Sequence, residues 1–565
     1  MPYKKLPYGQ CDFIKLMERG YAYVDKTRFI ELLENENNTY QFLIRPRRFG
    51  KSLFLSVMEN YYCLNQKDKF EALFGNLYIG KHPTPEQGKY AVLKFNFSGI
   101  KTDNYEEFKD SFSNNVQESV KLFFMKYKNI FSVSDALLNL FDSKSLGIDA
   151  VKTAYTMAVS ANVPIFVIID EYDSFTNNLI AMGEAYGNEM RKESGGVRAF
   201  YELLKSGTDS VVKRIFVTGI SPMMATDLTS GFNMATNYSL YPKYNEMFGF
   251  TREEVEWIID ETGIDRNLIK VDMESYYNGY LFNEDGENKV YNSQMILFLF
   301  NQIDISGKSP KEVVDTNLRT DYGRLQRLAG NESNRNKLLR IILDGGISGN
   351  IIGSFSQNEL EKEEYFLSLL FYLGMLTIGG VVEGQTYLKI PNYSIKTLYW
   401  EYMYSYIQHL EKIEIDTTKL SQTIRDMAFR GEFKSYLDFF VENYLKRLSN
   451  RDLMNFDEKY IKAMLLTIFY QSNLYLPVSE NENTDGYSDI YLQKHHAVAD
   501  IKFEYVFELK YLKVNASRAE KDEALSQALT QIEKYKKDPR FASRDDLKFL
   551  AVVFSGKGDY EVKEL

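Results

Sequence analysis

Hydrophobic residues in the first part of the chain fall into short runs separated by longer stretches with amphipathic helical spacing. Four of the runs have the length of β-strands: residues 39–46 (TYQFLIRP), 90–98 (YAVLKFNFS), 164–170 (PIFVIID) and 214–221 (RIFVTGIS). The last two are almost continuously apolar, which is typical of strands buried on both faces of a parallel sheet. This alternation predicts a doubly wound α/β domain over residues 1–250.

From residue 251 the spacing becomes mainly helical, and it predicts a middle region over residues 251–415 with a hairpin-like insertion at 280–292. Between Glu359 and Pro391 a helix is followed by a strand, a glycine-bearing turn and a second strand, which is typical of a small winged-helix-like unit. The helix (FLSLLFYL) is apolar. We therefore expect it to serve as a connector or a protein contact, and not to bind DNA.

The last part, residues 416–565, opens with helices and then turns to strands. Strands are predicted at residues 487–493 (YSDIYLQ), 496–502 (HAVADIK), 505–513 (YVFELKYLK) and 547–555 (LKFLAVVFS), with a helix at 518–537. This order predicts a second α/β domain at the carboxyl end.

Composition limits the classes of protein that fit these patterns. A chain of 565 residues with 44% hydrophobic and 26% charged residues is globular and too long for a single core. Two cysteines cannot build a disulfide framework, so we expect a reducing, cytoplasmic compartment. The first ten residues lack the apolar core of a signal peptide, so we expect none there, and three glycines interrupt the best candidate for a membrane span, which begins at Tyr365.

The stretch IRPRRFGKSLFLS contains the end of a phosphate-binding loop. Gly50, Lys51 and Ser52 match the last part of G-x-x-x-x-G-K-[ST] and lie between a predicted strand and a predicted helix, but Arg45 replaces the first glycine. In such a loop backbone N–H groups and the lysine hold phosphates, and the hydroxyl holds Mg²⁺. The alternative is a basic loop that contains GKS by chance.

A second feature favours the nucleotide site. The strand at 164–170 ends in Asp170 and is followed by Glu171, which suggests one carboxylate that holds Mg²⁺ and another that activates water. Thr218 and Ser221 end the next strand, where a polar residue would sense the γ-phosphate. The predicted nucleotide-binding residues are Arg45, Arg47, Arg48, Phe49, Gly50, Lys51, Ser52, Leu53, Asp170 and Thr218.

These motifs, together with PYGQCDFIKLMERGYAYVDKTRFIELLE before them and YYNGYLF and LGMLTI after them, resemble the AAA-ATPase-like family that is fused to a PD-(D/E)XK nuclease domain in bacterial and some archaeal genomes. In that family RPRRFGKS is the usual form of the loop. The resemblance implies a P-loop NTPase domain, a helical and winged-helix-like middle region, and a nuclease-like domain at the carboxyl end.

The strands of the last part carry a second candidate site. Asp489 lies on one strand, and Glu508 and Lys510 share a face of the next because strand side chains alternate. Two carboxylates with a neighbouring lysine can bind Mg²⁺ and activate water against a phosphodiester. This order is the D-x(n)-E-x-K pattern of PD-(D/E)XK nucleases, and the alternative is a surface salt-bridge pattern.

Further residues match the RecB-like branch of these nucleases. Gln531 and Tyr535 are four apart on one helix face, as in its Q-x-x-x-Y element, and Glu458 takes the place of the fold's amino-terminal acid. Glu480 is a less certain accessory acid. Tyr487 stands where the family often has a basic residue, so this chain departs from the family at a phosphate contact.

The favoured hypothesis is an ATP-binding and ATP-hydrolysing protein coupled to a nuclease that uses Mg²⁺ or Mn²⁺. We expect nucleic acid as substrate, with DNA favoured over RNA, no membrane partner, and homo-oligomerisation left open. The alternative is a nucleotide-switched binding protein whose nuclease fold is an interaction module, which the net charge of −10 favours. The candidates for an arginine finger are Arg191, Arg198 and Arg252.

Overall fold

The computed structural model of the chain describes residues 3–565 with gaps at 102–103, 144–146, 175–194, 223–233, 311, 313, 316–327, 329–331, 354–362, 412–415, 448–457, 473, 484–485, 496–497, 499, 543 and 557. The chain forms two compact units. Unit 1 comprises Met1–Lys308 and Ile347–Asn392, and unit 2 comprises Ser309–Gly346 and Tyr393–Leu565. The predicted boundaries at residues 250 and 415 divide the chain differently and stay a prediction.

Unit 1 is built on a five-stranded parallel sheet with the order β2-β3-β4-β1-β5. Its strands are β1 (Tyr40–Ile44), β2 (Ala91–Asn96), β3 (Ile165–Asp170), β4 (Val212–Gly219) and β5 (Thr236–Asn237). All six residues of β3 are buried, as its continuous apolar run predicted. The α/β class with a parallel sheet is confirmed.

Helices connect these strands and cover the sheet. They are α1 (Phe13–Glu18), α2 (Arg28–Glu34), α3 (Lys51–Tyr62), α4 (Phe70–Phe74), α5 (Tyr78–Lys81), α6 (Tyr105–Lys126), α7 (Asp135–Ser143), α8 (Asp149–Ala161), α9 (Gly195–Thr208), α10 (Arg252–Thr262), α11 (Met273–Tyr277) and α12 (Ser293–Ser306). Short 3₁₀ turns lie at Leu64–Lys69, Pro242–Tyr244 and Arg266–Leu268.

The register of the parallel strands brings their carboxyl ends to one edge of the sheet. Ile44 of β1 is paired with Gly219 of β4, and Asp170 of β3 is paired with Asn96 of β2. The loop after β1 and the acidic residues after β3 therefore begin at the same edge, where open α/β sheets bind their ligands.

The later part of unit 1 contains the predicted hairpin and a small sheet. Tyr280 and Val290 form an antiparallel bridge within the insertion. Helix α14 (Glu363–Tyr372) precedes the antiparallel strands β7 (Thr377–Val382) and β8 (Gln385–Lys389), and β6 (Gly346–Ser348) completes a three-stranded sheet. A winged-helix identity for this part stays a prediction.

Unit 2 contains a mixed five-stranded sheet with the order β13-β12-β11-β10-β9. Its strands are β9 (Tyr475–Asn483), β10 (Gly486–Lys494), β11 (Glu504–Leu512), β12 (Leu547–Ser555) and β13 (Asp559–Glu564), and its helices are α13 (Glu332–Asp344), α15 (Tyr393–Glu411), α16 (Thr417–Arg430), α17 (Lys434–Asn443), α18 (Glu458–Tyr470) and α19 (Arg518–Tyr535), with a 3₁₀ turn at Leu445–Arg447. Strands β11 and β12 are parallel and are connected through α19. The predicted second α/β domain is thus present.

The strand predicted at residues 496–502 is wrong where the structure describes it. Asp500 has a positive φ of 74° and Ile501 and Lys502 are not in a strand, because this stretch reverses the chain between the antiparallel strands β10 and β11. Strands β9 and β13 were not predicted, since β13 is polar and β9 has a proline in its first half and only polar residues in its second half. No helix among the described residues combines the length and apolar content that a membrane crossing requires.

Candidate functional sites

The loop between β1 and α3 is held in an unusual backbone conformation. Gly50 caps α3 with a φ of 91°, in the left-handed region that favours glycine, and Arg48 also has a positive φ of 68°. The Arg48 carbonyl accepts hydrogen bonds from Ser293 Oγ (3.0 Å) and Gln294 N (3.2 Å) at the start of α12. The start of α12 therefore fixes the loop that leads into the first turn of α3.

Lys51, the first residue of α3, is folded back onto its own loop. Its Nζ donates to the carbonyl oxygens of Arg45 (2.9 Å) and Pro46 (2.8 Å), and the side chain is buried. Burial lowers the pKa of Lys51 to about 8, while the negative charges of Asp170 and its acidic neighbours oppose that change. A cation at this position thus faces the acidic end of β3.

Arg45 is packed among backbone carbonyl groups, and its predicted nucleotide contact stays a prediction. It is 1% exposed, and its guanidinium donates to the carbonyl oxygens of Ile44 (2.9 Å), Ser239 (2.7 Å) and Tyr244 (2.8 Å). The guanidinium also lies 4.2 Å from the ring centre of Phe282. The replacement of the first loop glycine by arginine therefore joins the loop to residues 239–282.

Acidic side chains collect where β3 ends. Asp170 is buried and its Oδ1 accepts the N–H of Glu171 at 3.0 Å. Glu171 has a positive φ of 50°, and burial, with the charge of Asp170, raises the pKa of its carboxyl. Such a carboxylate can accept a proton from water more readily than an exposed one.

Asp173 is an acid at this edge that the sequence did not single out. It is buried and accepts the backbone N–H groups of Ile220 (3.1 Å) and Ser221 (2.8 Å), just after β4. Thr218 is also buried, and its hydroxyl donates to Leu43 O at 2.7 Å. In the sequence Asp173 is only the third acid of DEYD. Its hydrogen-bond partners, Ile220 and Ser221, lie almost fifty residues further along the chain.

A cavity of about 400 Å³ opens beside the loop. Residues 47–53 and Glu171 line one part of it, which places Arg47, Arg48, Phe49, Gly50, Lys51, Ser52 and Leu53 at the cavity. The remaining wall is largely apolar and includes Tyr23, Val24, Met247, Phe248 and Ile258. A charged end and an apolar end in one cavity of this size suit a nucleotide.

The candidate arginine fingers are not brought to this cavity by the structure. Arg198 pairs with Glu202 on α9 and Arg252 pairs with Glu274, and both arginines are exposed. Arg191 lies outside the described residues. Phe49 lines the cavity, and its ring also packs against Tyr280 with ring centres 4.8 Å apart.

In unit 2 the pairing of β10 with β11 positions the second candidate site. Ile490 is paired with Phe507, so the preceding Asp489 comes next to the residues that follow Phe507, and Leu509 N donates to Asp489 Oδ2 at 2.8 Å. Glu508 is 5% exposed. Burial, with the charge of Asp489, raises the pKa of Glu508 well above its usual range.

Lys510 links the acids of this site. Its Nζ lies 3.2 Å from Glu508 Oε1, 3.4 Å from Glu458 Oε1 at the start of α18, and 2.8 Å from Leu509 O. The structure thus brings together the predicted Glu458, Glu508 and Lys510. Burial lowers the pKa of Lys510, but the three surrounding carboxylates outweigh it and raise the pKa overall.

Helix α19 closes one side of the site. Tyr535 donates its hydroxyl hydrogen to Glu508 Oε2 at 2.9 Å. Gln531, one turn earlier, has a buried Oε1 without a hydrogen-bond partner among the described residues. A buried carbonyl oxygen of this kind is an available acceptor.

Lys462 is a further residue that the sequence did not single out. It lies one turn after Glu458 on α18, and its Nζ is 3.7 Å from Asp489 Oδ1, with its side chain 13% exposed. The only feature of the sequence that pointed to Lys462 was its position four residues after Glu458, which places both on one helix face. The side chains of Glu480 and Tyr487 lie outside the described part of the chain.

The donor sets of both sites fit a divalent cation that prefers oxygen ligands. Asp489 and Glu508 supply carboxylates in unit 2, and Ser52 and Asp170 supply a hydroxyl and a carboxylate in unit 1. Among the described residues no three His, Cys, Asp or Glu side chains form a complete metal site. Mg²⁺ commonly takes one or two carboxylates together with water and substrate oxygens, so the two carboxylates of unit 2 fit it, and so does the single carboxylate with a hydroxyl in unit 1.

Comparisons with known proteins match both parts of the chain. Residues 7–229 match the model of a family described as predicted AAA-ATPase, and residues 456–564 match a family of the PD-(D/E)XK nuclease superfamily. A protein described as uncharacterized, from the vnfD 5′ region of Azotobacter chroococcum mcd 1, is 26% identical over 417 residues, which is 70% of this chain and 69% of that protein.

Among solved structures, a Walker-type ATPase of Pyrococcus abyssi is similar over 66% of this chain and 94% of its own, with 15% identity and a TM-score of 0.39. A similarity at this level adds nothing to the fold described above.

Proposed function

Because the chain carries a predicted AAA-ATPase domain and a PD-(D/E)XK nuclease superfamily domain, we propose that it binds and hydrolyses ATP in unit 1 and cleaves phosphodiester bonds of nucleic acid in unit 2. Both reactions would require Mg²⁺, with Mn²⁺ as an alternative in unit 2. DNA is the substrate we favour, and the chain would act in the cytoplasm.

The cavity beside the loop is the observation that supports ATP binding. The N–H groups at the start of α3 and the Lys51 ammonium would hold the phosphates, and Arg47 adds a second positive charge at the cavity. Glu171 would accept the proton of the attacking water, for which its raised pKa suits it. Ser52 and Asp170 would hold the cation, which neutralises phosphate charge when bound.

The cluster of Glu508, Lys510 and Tyr535 next to Asp489 supports nuclease chemistry. Asp489 and Glu508 would hold the divalent cation, which polarises the phosphate and its attacking water when bound. Lys510 would stabilise the negative charge that develops on the phosphate. Tyr535 orients Glu508 through its hydrogen bond, and Glu458 holds Lys510.

The ATP site is tested with two variants of the full chain. Lys51→Ala should lose ATP affinity in calorimetry, because the phosphates lose their cation. Glu171→Gln should still bind ATP, but its rate of ATP hydrolysis should fall by about 100-fold or more, because the proton acceptor is gone. Glu202→Gln, which changes an exposed acid on α9, is the matched control. Equal ATP affinity in Lys51→Ala and wild type would exclude this site.

The nuclease site is tested with labelled single- and double-stranded DNA and RNA, with and without ATP. Asp489→Asn should abolish Mg²⁺ or Mn²⁺ binding in a metal titration. Lys510→Ala should retain the metal and slow cleavage by about 100-fold. Lys548→Ala, which removes a partly exposed partner of Glu564 on the same sheet, is the control. Absence of cleavage by wild type on every substrate would favour the nucleotide-switched binding protein.

A further inference from the structure

The cavity of unit 1 has two walls that lie far apart in the sequence. Residues 7–26 form one wall and include Tyr23 and Val24, and residues 247–258 form the other and include Phe248 and Ile258. These side chains lie beyond the loop that would hold the phosphates. In a bound ATP this end of the cavity would take the base, which is flat and largely apolar.

An ion pair between a buried lysine and a partly exposed glutamate joins the two walls. Lys26 lies in the VDKT stretch, whose role no motif explains, and it is 8% exposed. Its Nζ lies 2.7 Å from Glu254 Oε2 and 2.8 Å from the carbonyl oxygen of Glu246. Lys26 also lines the cavity. One ammonium group therefore holds the wall of residues 7–26 against both ends of the 246–254 stretch.

Glu254 is fixed by more than this pair. Its Oε2 accepts the N–H of Thr251 at 2.8 Å, and Thr251 in turn caps the start of α10, which carries Ile258. The position of Lys26 is thus tied to the helix that supplies an apolar cavity residue. Because Lys26 is buried, removal of its partner would leave a buried charge without compensation, so the pair should be sensitive to substitution.

We propose, on the basis of the ATP site proposed above, that the pair of Lys26 and Glu254 fastens the two walls around the base of ATP, which makes Lys26 a positioning residue for nucleotide binding. With the pair intact, the base enters a cavity that is already formed. Without it, binding has to order the two walls, and that cost lowers the affinity. The phosphates bind at residues 47–53 and should be insensitive to the pair.

The chain offers a matched control for this proposal. Lys4 also joins the amino-terminal stretch to α10, through Glu261 at 2.8 Å, but that pair is exposed and Lys4 does not line the cavity. Lys4→Met therefore removes an ion pair between the same two segments away from the cavity. Exposed pairs contribute little to stability, so this variant should behave as wild type.

The test compares ATP with inorganic triphosphate, which has no base, in calorimetry on the full-length protein. Lys26→Met should weaken ATP binding by about tenfold or more and leave triphosphate binding unchanged. In the ATPase assay the KM should rise by a similar factor while kcat stays near the wild-type value. If Lys26→Met does not fold, Glu254→Gln takes its place, because it keeps an oxygen for Thr251 N and loses the charge. It should weaken ATP binding less than Lys26→Met would, and should also leave triphosphate binding unchanged.

Three outcomes would overturn the proposal. Equal losses for ATP and triphosphate in folded Lys26→Met would show a general structural role. Unchanged ATP affinity in Lys26→Met, together with lost affinity in Lys51→Ala, would exclude the fastening role and keep the ATP site. Failure of the wild type to bind ATP would remove the proposed function and this inference together.

Discussion

Arg45 lies in the candidate phosphate-binding loop, and its role is either to stabilise unit 1 or to bind the nucleotide. Replacement of Arg45 by methionine distinguishes the two roles. Methionine keeps most of the apolar length and removes the three hydrogen bonds to the carbonyls of Ile44, Ser239 and Tyr244. It also removes the contact with the ring of Phe282. We expect a less stable unit 1 with little change in ATP affinity.

The expected loss in the free energy of unfolding of Arg45→Met follows from opposing contributions. Each buried carbonyl that loses its donor costs about 1–3 kcal/mol, and the contact with the ring adds about 1–2 kcal/mol. Removing Arg45 also relieves the cost of burying a charge, which shows in the lowered pKa of the guanidinium. Since three carbonyls are affected and one charge is relieved, we expect a net loss of about 2–4 kcal/mol.

The assay is urea denaturation followed by fluorescence, with ATP affinity measured by calorimetry below the transition. Arg47→Met is the matched control, because Arg47 lines the cavity and stands two residues away. It should show the opposite pattern, with unchanged stability and weaker ATP binding. Weaker ATP binding without loss of stability in Arg45→Met would refute this reasoning and restore the nucleotide contact predicted from the sequence.

Two further substitutions test single contacts. Tyr535→Phe removes the hydrogen bond to Glu508 and should slow cleavage by about tenfold with an unchanged circular dichroism spectrum, and a wild-type rate would contradict the orienting role. Gly219→Ala adds a methyl group that would overlap the carboxylate of Asp173, so the midpoint of urea denaturation should fall by an amount equivalent to about 1–3 kcal/mol, and an unchanged midpoint would contradict the close approach.

The parts of the fold that local patterns determine were predictable from the sequence. The apolar run of β3, ending at Asp170, and the glycine before Lys51 mark a strand end and a helix start by themselves. Alternation along a strand likewise placed Glu508 and Lys510 together before any register was known. These features depend on neighbours in the chain, so a single sequence contains them.

Other features depend on partners far away in the chain and were not predictable. The hydrogen bonds from Arg45 to the carbonyl oxygens of Ser239 and Tyr244 could not be read from the loop motif. The sequence does not distinguish Lys462 from other helix lysines, because its contact with Asp489 depends on the position of β10 in the folded chain. Both cases require the tertiary contacts that only the folded chain supplies.

The inward fold of Lys51 would make nucleotide binding at the proposed site an exchange reaction. The ammonium donates to the carbonyls of Arg45 and Pro46, so a phosphate at the proposed site would compete with the protein's own backbone for one cation. The measured ATP affinity would then be the difference between the contacts of Lys51 with phosphate and its contacts with the two carbonyls. When the product leaves, the same carbonyls would accept the ammonium again. If unit 1 hydrolyses ATP as proposed, the loop would return to this arrangement after each turnover without a separate resetting step.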